Sequence, residues 1–137
     1  MEKDILGRNI VDGKTAWLLK ELGYKGWVSG YYHENEYEEV ESEDALEYFD
    51  YECIGNRSGF VNENTQWRAA APTLIEAYQF LIEHGYEIDI LIDPNDKPHL
   101  VQINYSPEHG IGYSTEAPTL DEALDSFFRF FVYENNR

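Results

Sequence analysis

A chain of 137 residues, 42% hydrophobic and 15% aromatic, has the length and apolar content of one folded domain rather than a disordered tail. Its formal net charge of -17 repels phosphate backbones and anionic lipid. Direct nucleic-acid binding and membrane binding are therefore not expected, and a basic protein is the favoured partner.

Taken in chain order, Met1-Glu2-Lys3-Asp4 lacks a basic start followed by an apolar run, so no signal peptide is expected. Ile5-Leu6 and Ile10-Val11 suit a short anchoring strand ending at Asp12-Gly13. A helix beginning at Lys14 or Thr15 and running through Glu21 sets Trp17, Leu18, Leu19 and Leu22 on its apolar side, and Gly23 closes it. Tyr24 to His33, rich in aromatic and β-branched residues, reads as a strand, with Gly26 and Gly30 as bulges or close approaches. Glu34-Asn35 would turn the chain and Tyr37 to Val40 would return it. Ser42 would cap a short helix with Ala45, Leu46 and Phe49 on one side. Residues 53–69 read as a loop, with turn signals at Gly55-Asn56 and Ser58-Gly59. A short strand is expected near Phe60-Val61, or near Trp67.

The stretch Ala71-Pro72-Thr73-Leu74-Ile75-Glu76-Ala77 then opens a helix, and it returns 46 residues later as Ala117-Pro118-Thr119-Leu120-Asp121-Glu122-Ala123. Both copies are Thr-x-x-Glu capping boxes, in which the Thr accepts from the third helical N–H and the Glu reaches back to the cap. Each Pro keeps its preceding Ala out of the helix. Leu74, Ala77, Tyr78, Leu81 and Ile82 form one apolar stripe, and Leu120, Ala123, Leu124, Phe127 and Phe128 repeat its offsets. Gly85 is the expected stop of the first helix, and the second runs to about Tyr133. The repetition admits two origins, duplication or two helices solving one capping problem.

Between the copies, Tyr86, Ile88, Ile90 and Ile92 alternate with Glu87, Asp89 and Leu91 as a half-buried strand. Asp93 to Lys97 is a turn by composition, Val101, Ile103 and Tyr105 mark the return strand, and Gly110 to Tyr113 would be a short third. The order α-β-β-α-β-β-(β)-α predicts a single α+β domain over 1–137, an antiparallel sheet of about four to six strands with helices packed on one face. The wide apolar arc Phe127, Phe128, Phe130, Phe131 and Val132 places the last helix in the core in preference to a dimer contact, and monomer and homodimer both stay open.

This arrangement resembles a family of small acidic proteins from Bacteroides-type bacteria and their phages. The likeness is carried by Leu-x-x-Leu-Gly-Tyr (Leu19 to Tyr24) at the first helix end, the aromatic hairpin, Ala-Pro-Thr-x-x-x-Ala, the closure at His84-Gly85, the Ile-rich hairpin and the last Glu-Ala helix. Phe80-Leu81 stands where such sequences often carry Trp-Leu. The resemblance implies a phage or mobile-element setting and no assigned role, since its motifs are structural. Residues 86–128 are also similar to the HicB-like antitoxin domain through the hairpin and Thr119 to Leu124, although the Pro-Asp-Leu-Pro-Gly run of many members is absent. That similarity implies an antitoxin covering a basic ribonuclease.

No catalytic, metal or cofactor signature stands out. His33, His84, His99 and His109 are scattered singly, without zinc spacing. Asp93 and Asp96 share a turn but lack the ligand pattern of a calcium loop. The single cysteine, Cys53, excludes an internal disulfide framework, fits a reducing compartment and lies among acids that disfavour its thiolate. No apolar run nears the ~20 residues of a membrane helix, so the expected location is cytoplasmic. The most biased stretch runs from Glu34 to Glu52, where ten of nineteen residues are acidic and none is basic. Strand carboxylates two apart lie roughly 7 Å from each other on one face. The expected partner surface is therefore Glu34, Glu36, Tyr37, Glu38, Glu39, Glu41, Glu43 and Asp44, with the polar sheet side Glu87, Asp89, Gln102 and Asn104 as the alternative. The expectation is a non-enzymatic protein-interaction or regulatory protein. Its alternatives are a HicB-like antitoxin or DNA-mimic inhibitor, and a small-ligand binder or enzyme with a site assembled from distant residues. A solubilising role of the acidic face stays open as well.

Overall fold

The computed structural model describes residues 2–4, 6–34, 49–61, 68–92, 95, 100–108 and 112–135, with the backbone alone for 34, 49–50 and 53–61. In order these form α1 (Gly13–Glu21), β1 (Lys25–Glu34), β2 (Phe49–Val61), β3 (Arg68–Ala71), α2 (Leu74–Glu83), β4 (Ile88–Ile92), β5 (Val101–Tyr105), β6 (Tyr113–Ala117) and α3 (Leu120–Asn135). The class is α+β, as expected. The described strands make two three-stranded antiparallel sheets, ordered β2-β1-β3 and β4-β5-β6. They divide this way because each run pairs with near sequence neighbours, β1 taking a partner on both sides and β4-β5-β6 forming a meander. The chain separates into two compact units, Met1–Ala77 and Tyr78–Arg137, with the boundary inside α2.

In the first unit α1 starts at Gly13, one or two residues before the expected Lys14 or Thr15. Asp12 is the cap: its carboxylate accepts from the Thr15 N–H at 2.8 Å. At the other end Gly23 takes φ +88°, its N–H donates to Lys20 O, and Tyr24 N–H donates to Leu19 O. These two bonds satisfy carbonyls the helix leaves open, and the left-handed turn favours glycine. The α1 helix packs against β3, and Lys20 Nζ donates to Arg68 O at 2.8 Å.

The segment from Phe49 through Val61, expected as a helix end and a loop with a short strand near Phe60-Val61, is one thirteen-residue strand that takes in Phe60-Val61. Its turn signals do not end it. The register against β1 jumps from Val28↔Ser58 to Gly30↔Cys53, so residues 54–57 bulge out and pairing resumes beyond them. Gly30 sits at that shift, where a Cβ would meet the Glu52 carbonyl and the Tyr51 ring. The strand expected near Trp67 is β3, which pairs with β1 as Gly30↔Ala71 and Tyr32↔Ala69. The expected return strand Tyr37–Val40 and the Ser42-capped helix lie outside the described residues.

The N-terminal segment is tied down by one buried carboxylate. Asp4 Oδ1 accepts from the N–H groups of Leu6 (3.0 Å) and Arg8 (2.8 Å), and Oδ2 accepts from Arg8 Nε (2.9 Å) and Ser29 Oγ (3.2 Å). Burial alone would raise its pKa, but the Arg8 bonds and charge and the Leu6 N–H together hold it below the usual Asp value. Thus anchored, the segment bridges Ile10 to Thr73, Val11 N–H donates to Pro72 O, and Leu74 N–H donates to Asn9 O. Tyr32 Oη donates to Val11 O at 2.7 Å from a buried position that, with Asp12 and Glu2, pushes the phenol pKa upward.

In the second unit β4 to β6 run Ile88↔Tyr105 through Ile92↔Val101, and Val101↔Ala117 through Tyr105↔Tyr113. The third strand starts where it was expected to end, at Tyr113, and continues to Ala117. Alternation sends Ile88, Ile103 and Ala117 to the covered face. On that face α3 packs against β5 and β6. Phe127 and Phe131 meet Tyr105 edge-on at 5.5 and 6.0 Å, and Phe130 stacks on Tyr113 at 4.1 Å. Phe127, Phe128, Phe131 and Val132 are buried, so the wide arc is core.

Candidate functional site

With one face of the second sheet under α3, the opposite face is open. Register places Asp89, Asn104 and Ser114 in one cross-strand row and Leu91, Gln102 and Glu116 in the next. The centre is an uncharged network. Gln102 Nε2 donates to Asn104 Oδ1 (3.3 Å) and Ser114 Oγ (3.2 Å), and Ser114 Oγ donates to Asn104 Oδ1 (2.8 Å). Asp89 and Glu116 stand exposed at opposite edge strands, and Leu91 is 50% exposed among these polar groups. Strands β4, β5 and β6 contain no Lys or Arg.

Of the residues expected here, Asp89, Gln102 and Asn104 share this face, and Glu87 continues it, since Ser106 N–H donates to Glu87 O at 3.1 Å, one rung beyond β4. Leu91, Ser114 and Glu116 complete it. Their signal was available as the alternation of Tyr113, Thr115 and Ala117, hidden because Ser114-Thr115-Glu116 reads as a lead-in to the second Pro-Thr cap. Of the acidic surface, Glu34 ends β1 opposite Phe49, while Glu36, Tyr37, Glu38, Glu39, Glu41, Glu43 and Asp44 lie outside the described residues. So do Asp93, Asp96, His99 and His109.

The structure also forms a His–carboxylate pair across strands. His33 Nε2 lies 2.9 Å from Glu52 Oε2 on the surface of the first sheet, diagonal to the His33↔Asp50 register pair. Nearby, the Arg68 guanidinium lies 4.2 Å from the Tyr31 ring centroid. Lys20 sits 4.7 Å from the Trp17 ring centroid, and burial, helped by Arg68, lowers its pKa. Among the described residues no three His, Cys, Asp or Glu side chains gather as metal ligands, and no helix is long and apolar enough to cross a membrane.

Where the hairpin leaves α2, an open groove of about 730 Å³ is lined by residues 84–87 and 105–108. Comparison with family models, curated proteins and solved structures finds no match to this chain.

Proposed function

We propose that the chain acts by binding a basic protein, as an interaction or regulatory module rather than an enzyme, through the open face of the second sheet. The observation that carries this reading is the composition of that face. It sets exposed Asp89 and Glu116 around a Gln102-Asn104-Ser114 network and exposed Leu91, on three strands without a basic residue. A partner contributing Lys or Arg opposite the carboxylates, and one apolar contact over Leu91, meets complementary charge and a small dehydrated centre. The net charge of -17 supports fast, salt-sensitive association with such a partner. The acidic residues 34–44 are proposed as a second surface of the same chemistry, on the strength of composition alone.

The test is affinity capture from native lysate at about 0.1 and 0.5 M salt, a range over which exposed charge pairs are screened. One control carries Asp89→Asn with Glu116→Gln, and the other carries Gln at Glu36, Glu38, Glu39, Glu41 and Glu43. Salt-sensitive retention of one basic protein, lost in the first control, supports docking on the sheet face. Loss only in the second control moves the interaction to the acidic stretch. Retention indifferent to salt and to both controls overturns the reading.

A further inference from the structure

We propose that the groove at the base of the β4–β5 hairpin is a subsite for a single organic cation, a guanidinium or alkylammonium group such as a basic side chain presents. The carrier of that group rests on the docking proposed above, whereas the subsite is argued from its own walls.

Two short peptides build it. His84-Gly85-Tyr86-Glu87 leaves α2 through a left-handed turn: Gly85 takes φ +89°, its N–H donates to Ile82 O, and Tyr86 N–H donates to Leu81 O. Tyr105-Ser106-Pro107-Glu108 leaves β5 beside it, joined by the Ser106 N–H to Glu87 O bond of 3.1 Å. The aromatic walls are already supported. Tyr86 meets buried Phe131 edge-on at 5.4 Å, and Tyr105 rests on Phe127 and Phe131. Their rings need little ordering when a ligand arrives. Burial, and then the neighbouring Tyr86 phenol, raises the Tyr105 pKa, so its hydroxyl stays protonated and neutral.

The remaining groups select charge. Glu87 and Glu108 are exposed carboxylates, and among the described lining residues none is Lys or Arg. His84 Nδ1 lies 2.9 Å from Phe80 O, and a carbonyl can only accept, so Nδ1 carries a proton, and in the uncharged tautomer this leaves Nε2 as the acceptor. The lining residues thus supply carboxylates, phenol oxygens and an imidazole, groups rich in acceptors. An ammonium or guanidinium is all donor, and aromatic faces attract it. An anion would meet no Lys or Arg side chain among the described lining residues. The volume of about 730 Å³ admits a side chain entering from a larger partner as well as a free small cation.

The experiment is an amide NMR titration of the full chain with ethylguanidinium, and with ethylurea as a neutral probe of similar shape. Saturable shifts at Tyr86, Glu87 and Ser106 with ethylguanidinium, and not with ethylurea, are expected. Glu87→Gln with Glu108→Gln should weaken binding about tenfold, whereas Glu2→Gln with Glu21→Gln, an equal charge change elsewhere, should leave it unchanged. Preserved α3 amide shifts in each variant establish that folding is intact. Equal response to ethylurea, or equal weakening by both double variants, overturns the subsite. A poly-lysine peptide separates the two proposals. If it perturbs the Asp89 and Glu116 face while ethylguanidinium ignores the groove, the subsite fails and docking stands; the reverse pattern keeps the subsite and removes the docking face.

Discussion

The helix starts at Thr73 and Thr119 share a sequence and differ in what holds them. Thr73 is buried, and its box closes in both directions: Thr73 N–H and Oγ1 donate to Glu76 Oε1 at 3.0 and 2.8 Å, and Glu76 N–H donates to Thr73 Oγ1 at 3.3 Å. The N-terminal segment clamps it from outside through the Ile10↔Thr73 bridge and the Leu74 N–H to Asn9 O bond. Thr119 is exposed, and among the described residues its oxygens accept from the Glu122 N–H (to Oγ1, 3.2 Å) and the Ala123 N–H (to its carbonyl). The helix after Thr73 begins inside a polar clamp. The helix after Thr119 depends on its phenylalanines against the second sheet. One local signal therefore serves two supports, and sheet order separates the halves as well. The first strand is central in β2-β1-β3 and lies at an edge in β4-β5-β6, which argues against simple duplication of a three-stranded unit.

The largest blow to this contrast is Phe127→Ala. Phe127 is fully buried against Tyr105, Phe128 and Phe131, and its loss should cost about 3–5 kcal/mol. Amide exchange should rise first in α3 and β4–β6; a uniform rise across both units would show that they unfold as one. Next comes Asp4→Asn, which weakens the clamp and leaves Arg8 without its carboxylate, at about 2 kcal/mol by urea unfolding. The same group sets a pH dependence. Its folded pKa lies below its unfolded value, so its contribution is complete above about pH 4 and is lost as pH falls through the folded value. Acid should therefore release protection around residues 2–11 in the parent chain and change little there in the variant.

Smaller changes sharpen the comparison. Thr73→Ala should cost about 1–2 kcal/mol and Thr119→Ala about 0.5 kcal/mol, since only the first removes a buried, reciprocated cap. Equal costs measured in parallel denaturant curves would contradict the distinction. The smallest effect is a gain. Thr15 is buried with no partner for Oγ1 among the described residues, so the near-isosteric Thr15→Val should stabilise by about 0.5–1 kcal/mol. A loss in melting temperature would show that the hydroxyl has a role.

Much of the architecture was legible because its signals are local. Gly23 and Gly85 end helices through backbone bonds made within a few residues, and Thr73 and Thr119 start them the same way. The Ile88-Ile90-Ile92 alternation and the α3 stripe report which side is buried. By contrast, only the Phe60-Val61 end of β2 is legible, because Gly55-Asn56 and Ser58-Gly59 describe a bend without saying whether a partner strand continues on either side of it. The open face was legible in part, through Asp89, Gln102 and Asn104. Leu91, Ser114 and Glu116 join it only once β6 has a register.

Composition and short-range pattern thus determined the α+β class, the helix ends, the core stripe of α3 and the acidic character of the chain, because capping, turning and amphipathic spacing act over a few residues. Tertiary structure alone decided that β1 lies between β2 and β3, that Asp4 clamps one of two like junctions, and that residues 84–87 and 105–108 converge on a groove. Those outcomes depend on which distant segments meet, and register and burial are settled only when the whole sheet competes for partners.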